Sequence, residues 1–252
     1  MLVAERHQKI IELVNERSSI RVTELSNIFS VTEETIRRDL EKLEKEQKLQ
    51  RSHGGAVSVR EQDSEIHFSE RVITNVLEKK AIAVEAAKQV KSGDRIILDA
   101  STTAWYMAKE LPNLPLTVIT NSIKVVMELS KKEKIEIISM GGRLSPRSLS
   151  YVGPLAEQSI NMYHVNKVFL SCKGLDFNDG LSDSNELQAM LKKRMIERSD
   201  QVYLMVDSSK IGKRAFSQIS PLSEVDFVIT DKKLDHASCQ LFKERNIPIV
   251  VV

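Results

Sequence analysis

Three short strings between residues 99 and 143 of this 252-residue chain carry groups suited to holding an anion. Asp99-Ala100-Ser101-Thr102-Thr103 closes a β-branched run and leads into a helical pattern, so hydroxyls and free backbone N–H groups collect where negative charge is favoured. Thr120-Asn121-Ser122 follows the next run. Gly141-Gly142-Arg143 follows the third, where glycine permits close backbone approach and a guanidinium can grip a phosphate. One such string alone reads more readily as a helix N-cap; three in register on one sheet edge favour a phosphate-type site. A second set lies near the amino terminus. Thr32, Thr35, Arg37 and Arg38 open a helical pattern, and Arg51 and His53 precede a Gly54-Gly55 turn. Threonine hydroxyls and arginines in the first turns of a helix are groups that meet phosphates and base edges in the major groove.

The elements that position this second set follow from spacing. Ile36, Leu40 and Leu43 line one helix face behind the N-cap residue Thr32, which turns Arg37, Arg38, Lys42 and Lys45 outward. His7, Ile10, Ile11 and Val14 predict a helix over 4–17, and Leu25, Ile28 and Phe29 share a face of a short helix over 23–30. Lys48 to Val59 alternates around the glycine turn as a hairpin. Three helices and a wing in this order are the winged helix-turn-helix layout, with the third helix presented to DNA. Arg37 and Arg38 have a plainer reading as partners of Glu33, Glu34 or Glu41 on a solvated helix; DNA is the favoured one. Thr32 and Thr35 suit backbone oxygens or a thymine methyl. Arg51 and His53 suit phosphates or the minor groove.

Residues 58–74 lack periodicity and are rich in charge, which predicts an interdomain connector between a DNA-binding domain over 1–57 and a larger domain over 75–252. That larger domain opens with a helix over 75–90. Compact apolar runs at 95–98, 116–120, 135–139, 168–171, 202–206, 227–229 and 249–252 then alternate with helical patterns at 103–111, 122–130, 155–161, 186–198 and 235–245. Such alternation predicts a Rossmann-like α/β fold, a mostly parallel sheet covered on both faces, with ligands beyond the carboxyl ends of its strands.

Hydrophobic content of 41% against 29% charged residues is an ordinary globular balance, and no apolar run reaches the roughly 20 residues of a membrane span. A cytoplasmic protein without membrane attachment is expected. Net charge is +2, and residues 1–60 hold 11 Lys or Arg against 10 Asp or Glu, so nucleic-acid affinity must come from placement of charge. Cys172 and Cys239 stand alone, without zinc-site spacing, and read as reduced small hydrophobes. Neither a metal nor a cofactor is expected.

The strings E-R-H-Q-K-I-I-E-L-V (5–14), T-E-L-S (23–26), V-T-E-E-T-I-R-R-D-L-E-K-L (31–43) and R-S-H-G-G-A (51–56) resemble the DeoR family of bacterial transcriptional regulators. So do K-G-L-D (173–176), G-L-S-D-S-N-E (180–186) and V-D-S-S-K (206–210), and the resemblance covers essentially the whole chain. It implies a carboxy-terminal sensor domain similar in fold to ribose-5-phosphate isomerase and the coenzyme A transferases. It also implies an effector pocket lined by Asp99, Ser101, Thr102, Thr103, Thr120, Asn121, Gly141, Gly142, Arg143, Glu186 and Lys210. Lys210 then suits a phosphate or sugar carbonyl oxygen, and Asp99 and Glu186 suit hydroxyls; the plainer reading of Glu186 is an exposed carboxylate at a helix start. Arg71, Asn75 and Lys79 match the family pattern too, although spacing alone assigns them no role. Three departures stand out. Arg21 occupies the place of a serine N-cap, Ser101 replaces a frequent glycine, and Cys172-Lys173 replaces smaller or acidic residues; Lys173 either adds positive charge to the pocket or pairs with Asp176 or Asp183. The resemblance implies a dimeric or tetrameric repressor of a carbohydrate-utilisation operon, bound to double-stranded operator DNA and relieved by a phosphorylated sugar. The competing reading is a sugar-phosphate isomerase-like enzyme with an appended DNA-binding domain, in which Glu186 and Lys210 move protons.

Overall fold

The structure is a computed structural model that describes residues 3–17, 19–46, 48–52, 54–58 and 65–252. The chain divides into two compact units, Met1–Ser64 and Glu65–Val252. The second unit therefore begins ten residues earlier than the connector expected over 58–74 allows. The reason is a short helix over Phe68–Val72, whose Phe68 is buried and packs edge-on against Trp105 at 6.0 Å.

In the first unit α1 (Val3–Arg17), β1 (Ser19–Arg21), α2 (Val22–Phe29) and α3 (Glu33–Lys45) precede β2 (Leu49–Ser52) and β3 (Gly55–Ser58). The three strands form an antiparallel sheet in the order β1-β3-β2. Ile10, Val14, Leu25, Ile36, Leu40, Leu43, Leu49 and Ala56 make the core, and each of the larger aliphatics contributes about 1.5–3 kcal/mol by leaving water. Leu25 is buried as its spacing requires, whereas Ile28 is exposed: the face of α2 that packs is narrower than the run of apolar residues suggests. Arg21 indeed leaves α2 without a side-chain cap. Ser30 ends that helix in the left-handed region, φ 51, which makes the sharp turn into Thr32 and α3.

The second unit contains α4 (Phe68–Val72), α5 (Val76–Ala87), β4 (Arg95–Leu98), α6 (Thr102–Glu110), β5 (Leu116–Thr120), α7 (Ile123–Leu129), β6 (Ile135–Ser139), β7 (Arg143–Ser145) and β8 (Ser150–Val152). It continues through α8 (Pro154–Asn161), β9 (Val165–Leu170), β10 (Gly174–Asp176), β11 (Gly180–Asp183), α9 (Glu186–Glu197), β12 (Ser199–Met205), β13 (Ser217–Ser220), β14 (Phe227–Thr230), α10 (His236–Glu244) and β15 (Ile249–Val251). Seven strands form a parallel sheet in the order β15-β14-β12-β9-β4-β5-β6. Alternation along each strand divides the core between the two faces. Ile96, Leu98, Phe169, Tyr203 and Met205 pack against α5, α6 and α7, while Ile97, Val168, Leu170, Leu204 and Val206 pack against α8, α9 and α10. A hairpin of β7 and β8 and a small antiparallel sheet of β10, β11 and β13 stand beside the main sheet.

Candidate functional site

The third helix of the first unit presents its polar groups outward. Thr32 caps it, Oγ1 accepting from the Thr35 N–H at 3.3 Å, and the two hydroxyls lie 2.9 Å apart. Arg37 and Arg38 are exposed and pair along the helix with Glu33 (2.6 Å) and Glu34 (3.5 Å). Exposed pairs of this kind contribute at most about 0.5 kcal/mol, so DNA phosphates can replace the glutamates at little cost. Arg51 is exposed at the start of the wing, its N–H donating to Glu44 Oε1 at 2.8 Å. His53 lies outside the described residues.

In the second unit a cavity of about 210 Å³ opens beyond the carboxyl ends of β4, β9 and β12. This is where the chain order of the sheet reverses, β5 and β6 lying to one side of β4 and β9 to the other, the place where open α/β sheets bind ligands. Ser101 and Thr102 follow β4, Ser171 to Lys173 follow β9, and Asp207, Ser209 and Lys210 follow β12. The opposite wall is the segment 65–79, through Glu65, Arg71, Asn75 and Lys79. Six cationic side chains line the cavity against three carboxylates.

Part of this charge is neutralised within the protein. Lys192 Nζ reaches Asp183 Oδ2 at 2.6 Å and Asp99 Oδ2 at 3.4 Å, and donates to the Ser171 carbonyl at 2.7 Å. Burial opposes both ionised forms, but mutual attraction outweighs it, holding the Lys192 ammonium above and the Asp183 carboxyl below their ordinary values. Asp99 is fully used: Oδ1 accepts from the Ser101 N–H and Oδ2 from the Ser171 N–H. Asp207 is buried yet held below the carboxylate range, since Lys210 and hydrogen bonds from Ser209 and Asn75 offset its burial. Its Oδ2 has no hydrogen-bond partner. The remaining cations feel one another. Burial and then Lys210 lower Lys79 to about 8 and lower Lys173 as well. Burial pushes the Cys172 thiol up to about 12, so it lines the cavity as an inert group.

Residues 6–62 match the family model of the DeoR-like helix-turn-helix domain, and residues 74–232 match that of the DeoR C terminal sensor domain. The chain belongs to the DeoR family. It is a DNA-binding transcriptional regulator, not an enzyme. The HTH-type transcriptional regulator YulB of Bacillus subtilis is 69% identical over 252 residues, covering 100% of this chain and 98% of that relative. The L-fucose operon activator of Haemophilus influenzae is 38% identical, covering 91% and 92%, and the HTH-type transcriptional repressor GlcR of Bacillus subtilis is 34% identical, covering 100% and 97%. Among solved structures, ribose 5-phosphate isomerase A of Methanocaldococcus jannaschii aligns with a TM-score of 0.42 at 21% identity over 55% of each chain. No helix among the described residues is long and apolar enough to cross a membrane.

Within this DeoR-family sensor, four of the residues singled out from sequence line the cavity: Ser101, Thr102, Lys173 and Lys210. Lys210 Nζ donates to Ser171 Oγ at 2.9 Å and lies 3.8 Å from Asp207. Neither Asp176 nor Asp183 pairs with Lys173, because Arg214 takes the first and Lys192 the second. Asp99 and Thr103 are buried next to the lining without forming part of it. Thr120, Asn121, Gly141, Gly142, Arg143 and Glu186 are not brought to the cavity. Thr120 Oγ1 accepts from the Ser122 N–H, and Asn121 Nδ2 donates to the Tyr151 carbonyl. Gly142 has φ 135, and a Cβ there would meet the Val152 carbonyl at 2.9 Å, so it serves close packing of β8. Arg143 and Glu186 are exposed. For the residues after β5 and β6 the physical reason is sheet order, which carries those strand ends away from the crossover between β4 and β9, whereas Glu186 lies on the exposed side of α9, whose Gln188 and Lys192 line the cavity. Sequence reasoning missed Glu65, Asp183, Gln188, Lys192 and Asp207 as lining, and left Arg71, Asn75 and Lys79 without a role. The last three recur at intervals of four residues, a spacing visible in the sequence.

Proposed function

We propose that this regulator represses a carbohydrate-utilisation operon and leaves its operator when a phosphorylated sugar occupies the cavity beyond β4, β9 and β12. The observation that carries the reading is the excess of cationic over acidic side chains around a cavity large enough for a small ligand. Asp207 Oδ2, which accepts no hydrogen bond among the described residues, offers an acceptor for a sugar hydroxyl, and Thr102 and Lys210 offer donors. The protein works in the cytoplasm without a cofactor, and operator half-sites call for a homodimer or a tetramer. Repression is the mode that the name of GlcR supports; the L-fucose relative is named as an activator, so the response of the operon to ligand decides the sign. The effector acts by linkage, and about 1–3 kcal/mol of preference for the conformation that binds DNA poorly makes a working switch.

A mobility-shift titration with the protein's own upstream region and a panel of pentose and hexose phosphates tests this. Binding that no phosphosugar alters sinks the effector reading. Lys210→Ala and Thr102→Ala should keep operator affinity and lose the response.

A further inference from the structure

Two guanidinium nitrogens of Arg71, Nε and Nη2, find no acceptor among the described residues. Both are shut off from solvent and neither donates a hydrogen bond. Cζ lies 5.9 Å from the ring centroid of Phe68, so one flank is packed against an aromatic side chain, and the residue lines the cavity. Buried guanidinium groups left without acceptors are unfavourable, and crowding by like charges adds to the cost. No carboxylate lining the cavity accepts a hydrogen bond from its Nε or Nη2. Asp183 is held by Lys192 at 2.6 Å; Asp207 Oδ1 accepts from Asn75 at 2.9 Å and Glu65 from Asn185 at 3.2 Å. The strand-end turn before α6 is partly committed as well, since Ser101 Oγ accepts from the Ala104 N–H at 3.0 Å and the Asp99 carboxylate lies directly behind it.

We infer that Arg71 grips the phosphate of the effector, an assignment that rests on the effector reading above. A guanidinium fork matches two phosphate oxygens at once, which an ammonium does not. The consequence reaches beyond affinity. Lys79 Nζ donates to the carbonyls of Arg71 (2.5 Å) and Thr74 (2.7 Å), and Tyr106 Oη donates to the Val72 carbonyl at 3.0 Å. The Phe68 N–H donates to the Arg147 carbonyl at 2.7 Å, and Asn75 joins the start of α5 to Asp207. A phosphate bound to Arg71 thus ties residues 65–79 to the strand ends. This is the part of the sensor that stands next in sequence to the DNA-binding unit.

The test is calorimetric titration of the full chain, of Arg71→Gln and of Arg71→Lys with inorganic phosphate and with each sugar phosphate paired with its unphosphorylated sugar. Melting of the unliganded proteins and amide exchange over 66–79 are measured alongside. Arg71→Gln should weaken sugar-phosphate binding about 10- to 100-fold, as expected for losing a charge-assisted fork. It should leave the unphosphorylated sugar unaffected and abolish the ligand-induced slowing of exchange over 66–79, while Arg71→Lys recovers part of the affinity. Without ligand, Arg71→Gln should melt at or above the wild-type temperature because it relieves cation crowding. Wild-type and Arg71→Gln proteins that bind sugar phosphates equally overturn the assignment of Arg71 alone. So does a lower melting temperature in unliganded Arg71→Gln, which makes the residue structural. A wild-type protein that binds neither phosphate nor any sugar phosphate overturns the effector reading together with it.

Discussion

Arg6 on α1 and Asp39 on α3 form a buried pair, Nε to Oδ2 at 2.6 Å, with a second hydrogen bond from Nη2 to Oδ1 at 3.2 Å. His7 Nε2 lies 2.9 Å from the same Oδ1. Asp39 sits on the inner side of the helix whose outer side carries Arg37 and Arg38, so this pairing fixes the roll of α3 and hence the direction in which the arginines point.

Asp39→Asn should therefore destabilise the DNA-binding unit by about 2–3 kcal/mol, because it leaves the Arg6 guanidinium buried against a neutral partner. Urea unfolding followed by far-ultraviolet circular dichroism measures the loss. The pH dependence has a definite sign. Burial alone would raise the Asp39 carboxyl, but hydrogen bonds from Arg6 and His7 hold it below its ordinary value. Its contribution is complete above the unfolded-state value of about 4 and is lost as pH falls through the lower folded value. An acid limb that is unchanged in Asp39→Asn would contradict this.

Arg38→Ala should change stability by less than about 0.5 kcal/mol, since its pair with Glu34 is solvated. Operator affinity should fall sharply, and the slope of log K against log salt should shrink by about 1 for each DNA phosphate that the protein no longer neutralises. Fluorescence anisotropy between low and physiological salt reads both. Unaltered affinity in Arg37→Ala and Arg38→Ala alike would remove α3 as the DNA-reading element.

The two wing glycines should respond differently to alanine. At Gly55 a Cβ would fall 2.2 Å from the Ile20 carbonyl oxygen, so Gly55→Ala must push β1 and β3 apart, at about 1–3 kcal/mol. At Gly54 nothing lies within 4 Å, and only its φ of +89 is strained, at about 1 kcal/mol. Comparing the two denaturation midpoints separates the steric cost from the conformational one, and equal losses would show that close strand approach is not what Gly55 serves.

Lys79 should make the proposed anion binding depend on pH. Burial, followed by the charge of Lys210, lowers its folded-state value to about 8, against an unfolded value of about 10.4. Between these values the unfolded chain holds the extra proton, so the stability of the unliganded sensor should rise with pH across that window. A bound anion has the opposite preference, favouring the protonated lysine. Affinity for a sugar phosphate should thus fall about tenfold from pH 7 to pH 9, the limit for one linked proton being tenfold per unit. Titrations in buffers of different ionisation enthalpy should detect proton uptake near pH 8 in wild type and none in Lys79→Met.

The regular elements were largely legible in the sequence. Ile36, Leu40 and Leu43 at helical spacing and the short β-branched runs from Arg95 to Val252 are local signals, and local signals survive folding when both sheet faces are buried. The small sheet was not legible, because β10, β11 and β13 are three or four residues long and β13 pairs with β11 across more than thirty residues of chain. Half the site failed for a related reason. Gly141-Gly142-Arg143 and Thr120-Asn121 do follow strands, but whether a strand end faces the cavity depends on sheet order, which spacing does not encode. Arg71 came from a segment that looked like a connector and Lys79 from the helix that follows it; only the folded chain shows that both side chains, with Glu65, line the cavity.

Lys192, clamped between Asp183 and Asp99, has a consequence for the fate of the ligand. These two carboxylates already have a partner, and neither is free to draw a proton from a sugar carbon. On the effector reading proposed above, a bound sugar phosphate would meet neither of them as a base. A receiver of this kind measures a metabolite without spending it, so its reading follows concentration and fades only as other proteins remove the compound.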